Sequence, residues 1–196
     1  MDGMVFPGPD PVREDLLRRW SEPHRRYHDV RHLYEVLAAL PADAPATVVL
    51  AAWYHDAVYD PVRDDNEAAS ARLAGEQLAG EPELAEVERL VLLTRTHDPA
   101  RGDVNGAMLS DADLAVLGAS PERYDAYASD IRAEYAHVGD EDFRRGRASL
   151  LAGLLAHQPL YRTERGRERW EEAARDNLSR ELAALGGPSG GAAPHG

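Results

Sequence analysis

The chain has 196 residues, of which 43% are hydrophobic, and carries a formal net charge of -13. This size and composition suit one globular domain, and the charge disfavours binding to the backbone of DNA or RNA. Cysteine is absent and all 22 basic residues are arginine, which excludes thiolate catalysis, disulfides, zinc–thiolate sites, Schiff-base lysines and the P-loop lysine.

The apolar residues are mostly leucine and alanine, with a single isoleucine, Ile131, and this bias favours helices over strands. Residues 1–10 are rich in proline and glycine and are predicted to be a flexible N-terminus without the pattern of a secretory signal. Proline and glycine punctuation and apolar spacing then predict helices over residues 11–20, 23–40, 47–58, 64–79, 82–97, 108–117, 121–138, 142–157 and 164–185. The segment 186–196, GGPSGGAAPHG, is predicted to be a disordered tail that contains His195.

These elements predict a single compact all-α domain over residues 11–185. No run of about 20 apolar residues occurs, so no membrane span is expected. A cytoplasmic location is the default expectation, with no nucleic acid polymer and no membrane as partner, and a homodimer is left open.

The stretch RRYHDVRHL contains His28 and His32, which are four residues apart. On the helix predicted there they lie on one face, one turn apart, and His24 extends the row by another turn. Paired histidines at this spacing are by themselves a weak signal for a metal site, because solvated or hydrogen-bonded side chains give the same pattern.

The stretch AAWYHDAVYD places His55 and Asp56 directly after an apolar run. Burying an imidazole and a carboxylate is costly unless a partner satisfies them, and a metal ion is one candidate. Neighbouring helix residues diverge by roughly 100°, so both side chains reach one point only at a helix end. The alternative is a histidine at a helix C-terminus followed by a capping aspartate.

The stretch LSDADLAVLG places Asp111 and Asp113 in an apolar run. Asp111 suits the N-cap of the predicted helix, whereas Asp113 falls inside its first turns and needs a partner. Two histidines and two carboxylates from three predicted helices suit a divalent ion such as Mn, Mg, Zn, Ni, Co or Fe.

The order His…His-Asp…Asp resembles the HD superfamily of metal-dependent phosphohydrolases. YHDVRH is also similar to the Tyr-His-Asn-x-x-His stretch of the cyclic-nucleotide phosphodiesterases, which share the superfamily's core. The resemblance implies a helical HD-domain bundle with His28 as general acid. It also implies a set of metal ligands: His32, His55, Asp56 and Asp113.

The resemblance is closer to a bacterial group of small predicted HD phosphohydrolases of unsettled substrate. It covers roughly residues 20–185 and rests on the motifs WYHDAVYD, NEAAS, TRTH, DADLAVLG, IRAEY and ARDNL, in that order. It implies hydrolysis of a small phosphoester, with nucleotides among the candidates, and leaves the substrate open.

Several residues are candidates for catalytic or substrate-binding roles around the ion. Asp56 or Asp113 is expected to orient the attacking water, so Asp56 is both ligand and catalytic candidate. Arg132, His97 and Arg31 are candidates for contact with the phosphate. The alternative for Arg132 is an ion pair with Glu134. The alternative for His97 is an interaction with a helix C-terminus, and the alternative for Arg31 is a place on a solvated helix face.

Three competing functions stay open. A di-iron HD oxygenase needs additional histidines between the HD pair and the final aspartate, where the chain offers only His97. A catalytically silent metal- or nucleotide-binding module keeps the same ligands. A purely structural helical protein satisfies these polar groups with one another.

Overall fold

The computed structural model describes residues 6–186. The first five residues and the part of the predicted tail from residue 187 onward, with His195, lie outside the described residues. All regular structure in the described range is helical, which confirms the predicted all-α bundle. The α-helices are α1 (Asp10–Trp20), α2 (Val30–Ala39), α3 (Ala46–Tyr54), α4 (Asn66–Gln77), α5 (Leu84–Leu93), α6 (Val104–Asp113), α7 (Pro121–Glu134), α8 (Asp140–Ala156) and α9 (Glu164–Gly186).

Helix α2 is shorter than predicted, and the difference changes the histidine row. Residues 23–29 form turns, and the helix begins at Val30 because the Asp29 carboxylate accepts hydrogen bonds from the main-chain N–H groups of Arg31 and His32. The prediction of one helical face for His24, His28 and His32 is therefore wrong. The His24 ring lies 2.8 Å from the carbonyl oxygen of Tyr59 instead.

Helix α6 begins four residues earlier than predicted and ends earlier too. Its N-cap is Asp103, whose Oδ1 accepts a hydrogen bond of 2.9 Å from the Gly106 N–H. The α-helix ends at Asp113, and a 3₁₀ segment, Leu114–Gly118, follows it. The prediction of Asp111 as the N-cap is therefore wrong, because Asp111 lies in the last turn of α6.

Helix α3 forms the centre of the first of two core clusters. Every residue from Val48 to Tyr54 is buried, so no face of this half of the helix meets solvent. It contacts α2, α4, α5 and α6. Because the helix is enclosed, the residues that follow its C-terminus also lie inside the bundle.

The second core cluster joins the 3₁₀ segment to α7, α8 and α9. Its fully buried members include Tyr124, Leu151 and Leu178, and Trp170 packs against both clusters. The 3₁₀ segment approaches α9 so closely that a Cβ atom at Gly118 would lie 2.7 Å from the Trp170 carbonyl oxygen. Glycine is therefore required where α6 and its 3₁₀ extension meet α9.

Among residues 6–186, none of the helices is both long enough and apolar enough to span a bilayer.

Candidate metal centre

His55 enters the interior at the C-terminus of α3, where it is 1% exposed. Its Nδ1 lies 2.8 Å from the carbonyl oxygen of Ala52. Since a carbonyl oxygen only accepts, Nδ1 carries a proton and donates it there. The neutral ring then keeps a lone pair on Nε2, which is the atom that faces the other polar groups of the site.

His32 reaches the same point from the first turn of α2. Its Nε2 lies 3.2 Å from Nε2 of His55, and its ring packs against the rings of Trp20 and Tyr27. Two ring nitrogens at this distance need a proton or a cation between them, because two lone pairs repel each other.

Two carboxylates complete the cluster. Asp56 follows His55 in the turn after α3, and its Oδ2 lies 3.4 Å from the His55 Nε2 and 3.9 Å from the His32 Nε2. Asp113 ends α6, and its Oδ1 lies 3.0 Å from the His32 Nε2 and 3.5 Å from the His55 Nε2. The structure thus brings together the four side chains that the resemblance implies as ligands.

Arg25 fixes the turn that presents Asp56. Its side chain is fully buried, and its guanidinium donates hydrogen bonds to the carbonyl oxygens of His28, Asp56 and Ala57 at 2.7, 2.8 and 3.2 Å. It also pairs with Glu22 at 3.1 Å. One arginine therefore ties the turn after α3 to the segment before α2.

The cluster attracts positive charge. Burial lowers the pKa of His55, but the charges of Asp113 and Asp56 outweigh burial and raise this pKa to about 9. Burial raises the pKa of Asp113, but the charge of His55 and the hydrogen bond with His32 bring it well below its usual range. A proton or a metal cation satisfies the same negative potential.

The donor set suits a divalent metal ion. His32, His55 and Asp56 each offer a ligand atom, and these atoms lie within 4.8 Å of one another. Asp113 adds a second carboxylate, and no thiolate is present in the sequence. Two imidazole nitrogens with carboxylate oxygens bind zinc and the other divalent transition metals. The group could therefore hold a divalent cation.

His28 lies beside the cluster and is paired with Glu134 of α7. The His28 Nδ1 lies 2.7 Å from Oε2 of Glu134, and its Nε2 lies 4.0 Å from Oδ2 of Asp56. The Tyr59 ring stacks on the His28 ring, and the Tyr59 hydroxyl donates to the same Glu134 oxygen at 3.0 Å. Nδ1 of the His28 ring is therefore bonded to Glu134, whereas Nε2 stays available to other groups in the site.

The pairing favours the charged form of both groups. Burial lowers the pKa of His28, but the hydrogen bond to Glu134 and the charge of Asp56 raise it above its usual value. Burial raises the pKa of Glu134, but the hydrogen bond and charge of His28 bring it down to about 2. The pairing therefore favours the imidazolium–carboxylate form of the two groups over the neutral form.

A cavity of about 630 Å³ borders the cluster. Its wall includes His28, Asp56, His97 and Asp113. This volume lies in the usual range for small-molecule sites, which is roughly 300–1,000 Å³. A ligand of moderate size in this cavity can thus contact His28 and two of the candidate metal ligands, Asp56 and Asp113.

His97 lies at the edge of the cluster. Its Nε2 is 3.5 Å from Oδ2 of Asp113, and burial lowers its pKa. Its φ of 50° lies in the left-handed region, which non-glycine residues adopt infrequently. This conformation places the ring in the cavity wall, as expected for a residue that contacts substrate.

The structure does not bring Arg132 or Arg31 into the cavity wall. Arg132 donates to the carbonyl oxygens of Tyr135 and Val138 and pairs with Asp140, so it caps the C-terminus of α7. Arg31 pairs with Asp130 at 2.7 Å on the surface. Their predicted role in substrate binding is not supported by this placement, because both guanidinium groups are already held elsewhere.

Asp111 has a different task from Asp113. It is 2% exposed, and its carboxylate accepts hydrogen bonds from the main-chain N–H groups of Arg162 and Thr163 and from the Thr163 hydroxyl. These partners precede the first residue of α9. Asp111 therefore anchors the start of α9, and Asp113 is the aspartate that faces the histidines.

Comparison with known proteins adds no relative, since no family model, no curated protein and no solved structure matches the chain. The site is interpreted from its own residues.

The sequence reasoning missed the roles of Glu134 and Arg25. A signal for Glu134 was present, because it falls in helical register with Tyr127 and Ile131, which are core residues. A carboxylate on a core-facing stripe needs a buried partner. No comparable signal marks Arg25, because two of its three main-chain acceptors, Asp56 and Ala57, lie 31 and 32 residues further along the chain.

Proposed function

We propose that the chain is a metal-dependent hydrolase of small phosphoesters, in line with its resemblance to the HD superfamily. The observation that supports this most is the convergence of two imidazoles and two carboxylates beside a cavity of about 630 Å³, whose wall includes the two carboxylates. His28 lies in the same wall, with its Nε2 4.0 Å from Oδ2 of Asp56, and is placed to act as the general acid.

In this proposal His32, His55, Asp56 and Asp113 hold one divalent cation, whose identity stays open among Mn, Mg, Zn, Ni, Co and Fe. When bound, the cation supplies Lewis acidity to the phosphoryl group and acidity to a water molecule. The remaining steps belong to side chains of the chain itself.

Asp56 lines the cavity and orients the attacking water. The water oxygen forms a bond to phosphorus, and the bond from phosphorus to the alcohol oxygen breaks, with its electron pair leaving on that oxygen. His28 gives the Nε2 proton to the leaving alcohol and regains a proton from the water. Glu134 keeps His28 charged and oriented through the hydrogen bond of 2.7 Å at Nδ1.

The test compares two histidine variants with a control. His55→Ala is expected to lose both bound metal and activity, because it removes a ligand. His28→Ala is expected to keep metal and lose activity by about 10²–10⁴-fold, the usual contribution of a general acid. His157→Ala, at an exposed position outside the cavity wall, should match wild type.

Elemental analysis and a phosphoester screen with each metal give both readouts. Equal metal content in wild type and His55→Ala would reject the ligand assignment. Full metal content without turnover of any ester would instead favour the silent binding module. Two irons per chain would favour the di-iron oxygenase.

A further inference from the structure

The cavity wall has a polar part and an apolar part. Elements α3 and α6, with the turn before α2, contribute the polar groups described above. The 3₁₀ segment, α7, α8 and the α7–α8 turn contribute mostly apolar side chains, together with Tyr127, Tyr135, Asp142 and Arg147. This apolar wall consists of Leu114, Val116, Leu117, Ile131, Val138, Phe143, Leu150 and Leu154.

The cationic groups of the cavity are mostly committed to other partners. Arg147 is 6% exposed and pairs with Glu181 at 2.8 Å, and Arg63 pairs with Asp65 at 2.8 Å. Arg95 is exposed and forms no ion pair with any residue in the range 6–186. One uncommitted guanidinium is therefore available to a substrate.

Acidic groups in the wall limit the charge of the substrate further. Asp64, Glu67 and Asp142 line the cavity in addition to the candidate metal ligands. A di- or triphosphate needs several cations around it, and like charges at this distance are costly. The charge balance suits a single phosphoryl group.

We propose that the substrate is a phosphate monoester of an apolar alcohol, with an alkyl or aryl group that packs on the apolar wall. This inference rests on the proposed function and names its substrate class. The phosphoryl group binds at the cluster, where the cation and Arg95 offset the surrounding carboxylates. A nucleoside is disfavoured, because most of this wall is apolar and offers few hydrogen-bond partners to the polar edges of a base.

A series of n-alkyl phosphates, from ethyl to octyl, tests the inference with leaving groups of nearly equal acidity. The metal-loaded protein is expected to gain about two- to fourfold in kcat/KM per added methylene until the wall is covered, because each methylene leaves water. A nucleoside monophosphate is expected to react more slowly than octyl phosphate.

A matched pair of variants tests whether the apolar wall causes the dependence of kcat/KM on chain length. Leu154 lines the cavity, whereas Leu155 does not, and both are partly buried against the second core cluster. Leu154→Gln is expected to lower kcat/KM for octyl phosphate about tenfold more than for ethyl phosphate. Leu155→Gln should leave the dependence on chain length unchanged. Val138→Thr, a smaller perturbation of the same wall, serves if Leu154→Gln does not fold.

The outcomes separate the inference from the proposed function. Hydrolysis with no dependence on chain length, a preference for the nucleoside monophosphate, or equal effects of the two leucine variants would overturn the apolar-alcohol assignment and leave the hydrolase in place. Hydrolysis of phosphodiesters alone would likewise overturn the monoester assignment, whereas a metal-loaded protein that hydrolyses neither phosphomonoesters nor phosphodiesters would overturn the hydrolase, and the substrate class with it.

Discussion

At the scale of single residues, Glu134 organises the groups beside the cluster. Its Oε1 accepts hydrogen bonds of 2.9 Å from the main-chain N–H groups of Arg26, Tyr27 and His28. Its Oε2 accepts from the His28 ring and the Tyr59 hydroxyl. An ionised carboxylate has no proton of its own and accepts more strongly at both oxygens than the neutral acid does, so these donors stabilise the charged form against the cost of burial.

The first prediction concerns the pH dependence that Glu134 gives to stability. Its pKa falls from 4.5 to about 2 on folding, so its stabilisation is complete above pH 4.5 and is lost as the pH falls towards 2. Glu134→Gln is expected to lower the free energy of unfolding by about 2–3 kcal/mol at pH 7 and by less at pH 3. Urea denaturation of the metal-free proteins measures both values.

Glu141→Gln is the control for this comparison, because the Glu141 side chain is 95% exposed. Its deficit should be small at both pH values. A Glu134→Gln deficit that is as large at pH 3 as at pH 7 would contradict the account of the buried ion pair.

At the scale of elements, α6 carries two aspartates with separate functions. Asp111 holds the start of α9, and Asp113 faces the histidines from α2 and α3. The Asn177 side chain of α9 also donates to the carbonyl oxygens of Leu117 and Ala119, on either side of the end of the 3₁₀ segment. The position of Asp113 thus depends on how α6 and its extension are held against α9.

The second prediction separates these two aspartates. Asp111→Asn is expected to cost about 1–2 kcal/mol of stability, because an amide is a weaker acceptor for three donors, and to keep metal binding. Asp113→Asn is expected to weaken metal binding by at least about 100-fold, because it replaces a carboxylate ligand by a neutral amide. Calorimetric titration with Mn²⁺ and urea denaturation give the two readouts. Loss of metal from the Asp111 variant alone would reverse the assignment.

The sequence predicted most elements because their signals are local. Apart from the start of α2, the helix ends lie within four residues of the predicted ones. The start of α2 was misplaced because residues 26–28 direct their N–H groups to Glu134, more than 100 residues away in the chain. A sequence does not show an acceptor at that distance, so the cap at Asp29 was overlooked.

The residues of the candidate metal centre could be predicted from the sequence about as well as the helices. His55, Asp56 and Asp113 stood out because each is a polar residue next to or inside an apolar run, whereas His32 was predicted as a ligand from the family resemblance. Arg132 and Arg31 could not be placed, since the direction of a long side chain depends on tertiary partners such as Asp140 and Asp130. Charge alone did not indicate which arginine faces the cavity.

At the scale of the whole molecule, a bound cation would join α2, the end of α3 and α6. Without the cation, two carboxylates and two imidazoles lie in close contact inside the bundle, and a proton on His55 offsets the negative charge of the carboxylates. Metal binding therefore stabilises the native arrangement of three helices that are distant in sequence.

The third prediction measures this stabilisation. At a free metal concentration of about 100 times Kd, the gain is about 2.7 kcal/mol, which raises Tm by about 5–10 °C in a domain of this size. Addition of EDTA should abolish the shift, and His55→Ala should show none. Equal shifts in wild type and His55→Ala would mean that the metal acts elsewhere on the acidic surface.

The convergence of four side chains on one ion is tested most directly by anomalous diffraction from crystals soaked in Mn²⁺. We expect one strong peak within about 2.3 Å of the two Nε2 atoms of His32 and His55 and of an oxygen from each of Asp56 and Asp113. Peaks confined to surface carboxylates, with none between these four residues, would contradict the account.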